Sequence, residues 1–181
     1  TAILMRVGDG STELNLTSNI FFSSLTAPTV SSGTLIFSDV ASHTGFVADY
    51  NDYASSNSAL GFKWTGGAQG VVLWVGMVTP QDDNSISGNP KWFNVGVNIE
   101  DFHPRSSVGR YDMLTQAFVT TDVGISPTVD AAVPTDPFSL EPAPNGALAN
   151  QGSYGNTPEA SKSFASFYAG CVAARDVHAI N

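Results

Sequence analysis

The chain has 181 residues, 42% of them hydrophobic and only 13% charged, with a formal net charge of −9. That length suits one domain burying about 70% of its unfolded surface. The charged share is about half that of an ordinary globular domain, which argues against a Glu/Lys-rich helical protein or a disordered tail. Its seven cations (Arg6, Lys63, Lys91, Arg105, Arg110, Lys162 and Arg175) stand singly. Phosphate backbones and anionic membranes both need clustered cations, so neither nucleic acid nor a membrane surface is an expected partner.

Strand signals begin at once. Residues 2–7 form a short apolar run that ends at the turn signal Gly8-Asp9-Gly10. Residues 13–25 alternate well enough for one long or two short strands, with a break near Ser18-Asn19. A further strand is expected at 34–38 and another at 45–48, and the polar-aromatic stretch 49–53 reads as an exposed loop tip.

The organising stretch is 60–78. Leu60, Phe62 and Trp64 alternate with Gly61 and Lys63, the glycine-rich 65–70 reads as a turn, and 71–78 is apolar on both faces. This predicts a hairpin at the centre of a sheet. Residues 79–90 read as a turn-rich loop. Residues 91–99 predict a strand with Phe93, Val95, Val97 and Ile99 facing inward, 100–109 a loop, and 110–120 a last strand. Such spacing, without intervening helical patterns, predicts an all-β fold: an antiparallel β-sandwich, jelly-roll-like, over 1–120. No internal repeat stands out.

The remainder differs. Residues 121–156 are proline-rich and aperiodic, an extended arm expected to wrap the core. Thr157, Pro158 and Glu159 suit a helix start, and Phe164, Phe167, Tyr168, Cys171 and Val172 share one helical face, so an amphipathic helix is expected within 157–181. All three segments belong to one domain. Cys171 is the only cysteine, which excludes an internal disulfide. No apolar run reaches the ~20 residues of a membrane-spanning helix. Asn15-Leu16-Thr17 is a glycosylation sequon if the chain is secreted. The N-terminus has no signal-peptide layout and starts in mid-strand without methionine, as a fragment or cleavage product does.

Several clusters carry residue types that do chemistry. Asp39, Ser42 and His43 could supply orienter, nucleophile and base, but neighbours in extended chain point apart and turn-capping explains them better. Residues 83–94 match the first half of a calcium loop, yet Asn94 stands where a bidentate Glu is needed. A looser calcium loop would use Asp82, Asp83 and Asn84. Glu100, Asp101 and His103 read as solvated loop residues, and no cofactor or metal is expected. Tyr50, Asp52 and Tyr53 make the best binding candidate: aromatic faces for stacking beside a carboxylate for hydroxyl groups.

The run Ser56-Asn57-Ser58-Ala59-Leu60-Gly61-Phe62-Lys63-Trp64, within an acidic, Ser/Thr/Asn-rich strand protein, resembles the projecting domain of coat proteins of small icosahedral positive-strand RNA viruses, those of insects in particular. The resemblance covers nine residues. It implies a virion-surface domain that meets a host receptor or glycan and touches other capsid subunits. Some such domains carry an Asp/His/Ser cluster; Asp39, Ser42 and His43 have those types but no catalytic role is carried over. The expectation is host attachment and subunit contact, not catalysis, through Tyr50, Asp52, Tyr53, Asp82, Asp83 and Asn84. The alternatives are a carbohydrate-binding module of a secreted protein and a Ser/His/Asp hydrolase.

Overall fold

A computed structural model describes residues 3–7, 11–23, 34–37, 44–55, 61–64, 67–70 and 82–165. Among these residues there is no helix, and the regular structure is all strand. The first half is a stack of successive passes of the chain. Strand β1 (Ile3–Val7) lies parallel to β4 (Thr34–Phe37), and β4 lies parallel to β7 (Gly61–Trp64). Likewise β2 (Asn15–Thr17) pairs in parallel with β5 (Val47–Asp49), and β3 (Ile20–Ser23) with β6 (Asp52–Ser55). Asn15 stands opposite Val47 and Ile20 opposite Asp52, a shift of 32 residues in both ladders. A third pass follows: Ile86 bridges Asp52 in parallel, and the amide of Asp82 donates to the Ala48 carbonyl. At these positions successive passes of the chain therefore lie in parallel register on one another.

The strand-rich architecture agrees with an all-β fold but does not confirm the antiparallel sandwich: among the described residues four of the seven strand ladders are parallel. The turns repeat with the strands. Glu13 and Gly45 both take left-handed backbone, as do Ser18 and Tyr50, again 32 residues apart. Next to that corner, Asn51 is fully buried and ties the passes together. Its Oδ1 accepts from the Asn19 amide at 3.0 Å, its Nδ2 donates to the Leu16 carbonyl at 2.7 Å, and its own amide donates to Ser85 Oγ at 2.9 Å. Two positions on, Phe21 stacks on Tyr53 with centroids 5.3 Å apart and planes 9° apart. That separation is close to the interstrand spacing, so parallel registry itself places ring on ring.

The expected hairpin at 60–78 is antiparallel, but its second strand starts sooner: β8 (Gly67–Gly70) pairs with β7, Trp64 opposite Gly67. Residues expected as turn are strand, and 71–78 lie outside the described residues, as do 39–43 and Cys171.

The second half is built otherwise. Strand β9 (Trp92–Asn94) pairs antiparallel with β10 (Asp101–Pro104), and β11 (Arg110–Asp112) with β12 (Ala117–Val119). Residues 110–120 are thus a hairpin, not one strand, because Asp112 Oδ1 accepts from the Leu114 and Thr115 amides and closes a turn. Residues 101–104, expected as loop, are strand. The stripe expected to face inward is at the surface: Val97 is 81% exposed and Ile99 66%.

Residues 121–165 form successive turns fixed by long-range hydrogen bonds. The Gly152 amide donates to Ser18 O, and Gln151 to Thr128 O. The helix expected from Thr157 closes a single turn, with Thr157 Oγ1 accepting from the Glu159 amide and Thr157 O from the Ala160 amide. The chain then extends, because Lys162 N donates to Gly109 O at 2.7 Å and Ser163 N to Pro144 O at 3.2 Å. Those amides are committed to carbonyls distant in sequence and cannot continue a helix through 162–163. Its remaining residues, 166–181, lie outside the described set.

Candidate functional site: an aromatic groove on the stack corner

A groove of about 510 Å³ forms where the second half lies on the first. The β2–β3 corner contributes Ser18, Asn19 and Ile20. Strand β9 contributes Trp92, β10 contributes Phe102, and the turns beyond contribute Gln151, Gly152, Ser153 and Tyr154. Gly152 is required there. It has a φ of +83°, and a Cβ would stand 2.9 Å from Ile20 Cδ1.

Three aromatic rings are fixed before any ligand arrives. Trp92 meets Phe22 edge-on at 4.9 Å and Phe102 at 5.0 Å. Tyr154 lies on His103, 3.6 Å between centroids and 24° between planes. Gln151 is 1% exposed, and its Nε2 donates to the carbonyls of Tyr50 (2.6 Å) and Ala131 (2.9 Å). The amide is thereby oriented, and its Oε1 has no hydrogen-bond partner. Ser18 Oγ donates to Asp136 Oδ2 at 2.6 Å and accepts from the Val133 amide at 3.0 Å, pinning the turns to the corner.

Behind the groove sits a buried ionic group that the sequence reading took for solvated loop. His103 is fully buried; its Nδ1 lies 2.6 Å from Asp101 Oδ1, and its Nε2 makes no hydrogen bond but stands 3.5 Å from Glu159 Oε2. Arg110, 2% exposed, donates from Nε to Asp122 Oδ2 at 3.0 Å and lies 3.7 Å from Asp101 Oδ2, its guanidinium 3.5 Å from the Phe93 ring centre. Burial pushes the Tyr154 hydroxyl pKa up, and the charges of Asp101 and Glu159 add to this. A fully enclosed imidazole held between carboxylates positions Tyr154; it has no open face to offer a reacting group.

The predicted candidates divide. Asp52 and Tyr53 lie in β6 and are buried, so the exposed loop tip expected at 49–53 is corrected: the parallel ladder carries these residues into the stack. Asp52 Oδ1 accepts from the Gly88 amide, Oδ2 has no hydrogen-bond partner, and burial raises the carboxyl pKa to about 6. Tyr53 donates its hydroxyl to buried Asp82, and burial followed by that negative charge drives its pKa upward. Asp82 also accepts from Ser85 Oγ at 2.6 Å, so its oxygens serve the stack. Asp83 and Asn84 are exposed, and Asn84 donates to both carboxylate oxygens of Asp49. The three do not converge as a calcium loop, and no group of three His, Cys, Asp or Glu among the described residues is arranged to hold a metal. Tyr50 remains half-buried on the corner shared with Ser18, its carbonyl accepting from Gln151.

The groove residues Trp92, Phe102, Gln151 and Tyr154 were missed. Their sequence signal is aromatic residues within turn-rich stretches that lack an apolar stripe to pack on. The comparisons add no further assignment: the chain matches no protein-family model, no curated protein and no solved structure.

Proposed function

We propose that this chain is an attachment module that binds a glycan in the groove of Trp92, Phe102 and Tyr154. The observation that carries the reading is three pre-set rings beside the polar corner of Ser18, Asn19 and Ser153. Sugar rings present C–H faces to aromatic faces and hydroxyl groups to side-chain hydroxyls and amides, so this mixture suits a neutral saccharide. Placement on a virion exterior, with a host glycan as target, rests on the likeness of residues 56–64 to viral projecting domains and on the acidic, charge-poor composition. The parallel stack departs from the antiparallel sandwich expected beside that likeness, so the groove supports glycan binding more directly than it supports a viral setting. A glycan-binding module of a secreted protein is the second reading, and the same groove favours it.

The test is a glycan array probed with the whole chain and with Phe102→Ala, a change at a ring that is 43% exposed. Glycans bound by the wild type should bind about tenfold more weakly to the variant. Equal binding by the two proteins removes the groove as the site. Attachment further requires that the labelled chain coat susceptible cells and lose them after enzymatic deglycosylation.

A further inference from the structure

The stripe expected inside the protein lies outside it, and it forms a second cavity. Phe93 and Ile99 from the β9–β10 hairpin meet Met113 and Leu114 from the β11–β12 turn around a volume of about 430 Å³, with Glu100 and Asp112 at its edge. Leu114 is 95% exposed and Met113 54%. Contiguous apolar surface of this kind marks a contact site.

Charge decides what fits. The Thr115 and Leu114 amides bonded to Asp112, with the Arg110 charge adding, hold its carboxyl below the ordinary range, so it is anionic at neutral pH. The carboxylates of Glu100, Asp101 and Asp112 line this cavity, and two guanidiniums lie against its Phe93 wall, 3.5 Å (Arg110) and 5.5 Å (Arg105) from the ring centre. Arg110 pairs with Asp122 and Asp101, and Arg105 donates to the carbonyls of Trp92 and Phe93. Among the described residues Glu100 and Asp112 take part in no ion pair.

We propose that this cavity docks an apolar segment of a partner protein bearing Lys or Arg beside its apolar side chains. A second copy of this chain fits poorly. A twofold contact through this patch would set one acidic rim, with Glu100 and Asp112, against the same acidic rim of a second molecule of net charge −9. The cavity is separate from the groove, and the proposal does not depend on glycan binding.

The probe is a fluorescein-labelled peptide of alternating Leu and Lys, measured by fluorescence anisotropy beside its Leu/Glu counterpart. The expected result is saturable binding of the Lys peptide alone. Leu114→Ser combined with Ile99→Ser should weaken it about tenfold, and Glu100→Lys several-fold. All three positions are exposed, and an unchanged circular dichroism spectrum verifies the fold. Absence of saturable binding, equal affinity for the Leu/Glu peptide, or affinity unmoved by the Ser substitutions overturns the proposal. So does a wild-type dimer in sedimentation velocity that Leu114→Ser dissociates, which would assign the cavity to self-association.

Discussion

The two halves of this molecule solve the burial problem in opposite ways. The described residues between 3 and 55 include parallel passes of the chain, in which side chains and corners are matched one pass away: Phe21 on Tyr53, Asn19 on Asn51, Ser18 and Tyr50 at equivalent corners. Residues 89–165 repeat nothing. Among the described residues their buried apolar side chains are Val129, Ala132, Ala149 and Ala160, whereas Arg110, His103, Gln151, Thr128 and Ser106 are buried with them. Burial of polar groups is favourable only when they are hydrogen-bonded, so this half depends on the completeness of its bonding network. The lesson is about tolerance. A stack loses stability in proportion to the contact removed, whereas a polar network fails when one member leaves a buried charge behind.

The largest effect should therefore fall in the second half. Arg110→Met leaves the buried Asp122 without its cation and Asp101 with His103 alone, and urea unfolding should show a loss of about 3–5 kcal/mol. In the stack, Asn51→Ala removes the bonds to Leu16, Asn19 and Asp82, but Tyr53 and Ser85 still donate to that carboxylate, and about 2–3 kcal/mol should be lost. A smaller loss for Arg110 than for Asn51 would reverse the comparison.

Asp52 tests the interior of the stack through pH. Its folded pKa of about 6 lies above the ordinary 3.8. Its favourable contribution is therefore fully present below pH 4 and is lost as the pH rises through 6. Denaturation midpoints should fall across that window by about 2 kcal/mol in equivalent stability, and Asp52→Asn should flatten the slope. A slope that persists in the variant places the titration elsewhere. The smallest effect belongs to the exposed stripe: Val97→Ser should change stability by under about 0.5 kcal/mol. A larger loss would mean that the stripe is covered in the free protein.

Much of the strand content was legible locally. The break at Ser18-Asn19 separates β2 from β3, and 2–7, 34–38 and the start of 60–78 correspond to β1, β4 and β7. Strand propensity and turn residues act over a few positions, so composition and alternation reveal them. The repeat left only a trace, Ser18-Asn19-Ile20-Phe21-Phe22-Ser23 against Tyr50-Asn51-Asp52-Tyr53-Ala54-Ser55, where one Asn, one aromatic and one Ser align. That was too little to separate a parallel stack from antiparallel hairpins, because both need the same short strands between turns.

The candidate site was less legible still. Tyr50, Asp52 and Tyr53 look alike as letters, yet the ladder buries two of them, and the groove joins Ile20, Trp92, Phe102 and Tyr154 across most of the chain. What the sequence determined by itself was an acidic, charge-poor, strand-forming chain, since those properties sum over residues wherever they lie. Tertiary structure alone decided parallel against antiparallel, which aromatic residues are buried and which face outward, and that the helix beginning at Thr157 closes one turn before its amides are claimed by Gly109 and Pro144. Each of these outcomes depends on a partner tens of residues away, and local propensity carries no information about that partner.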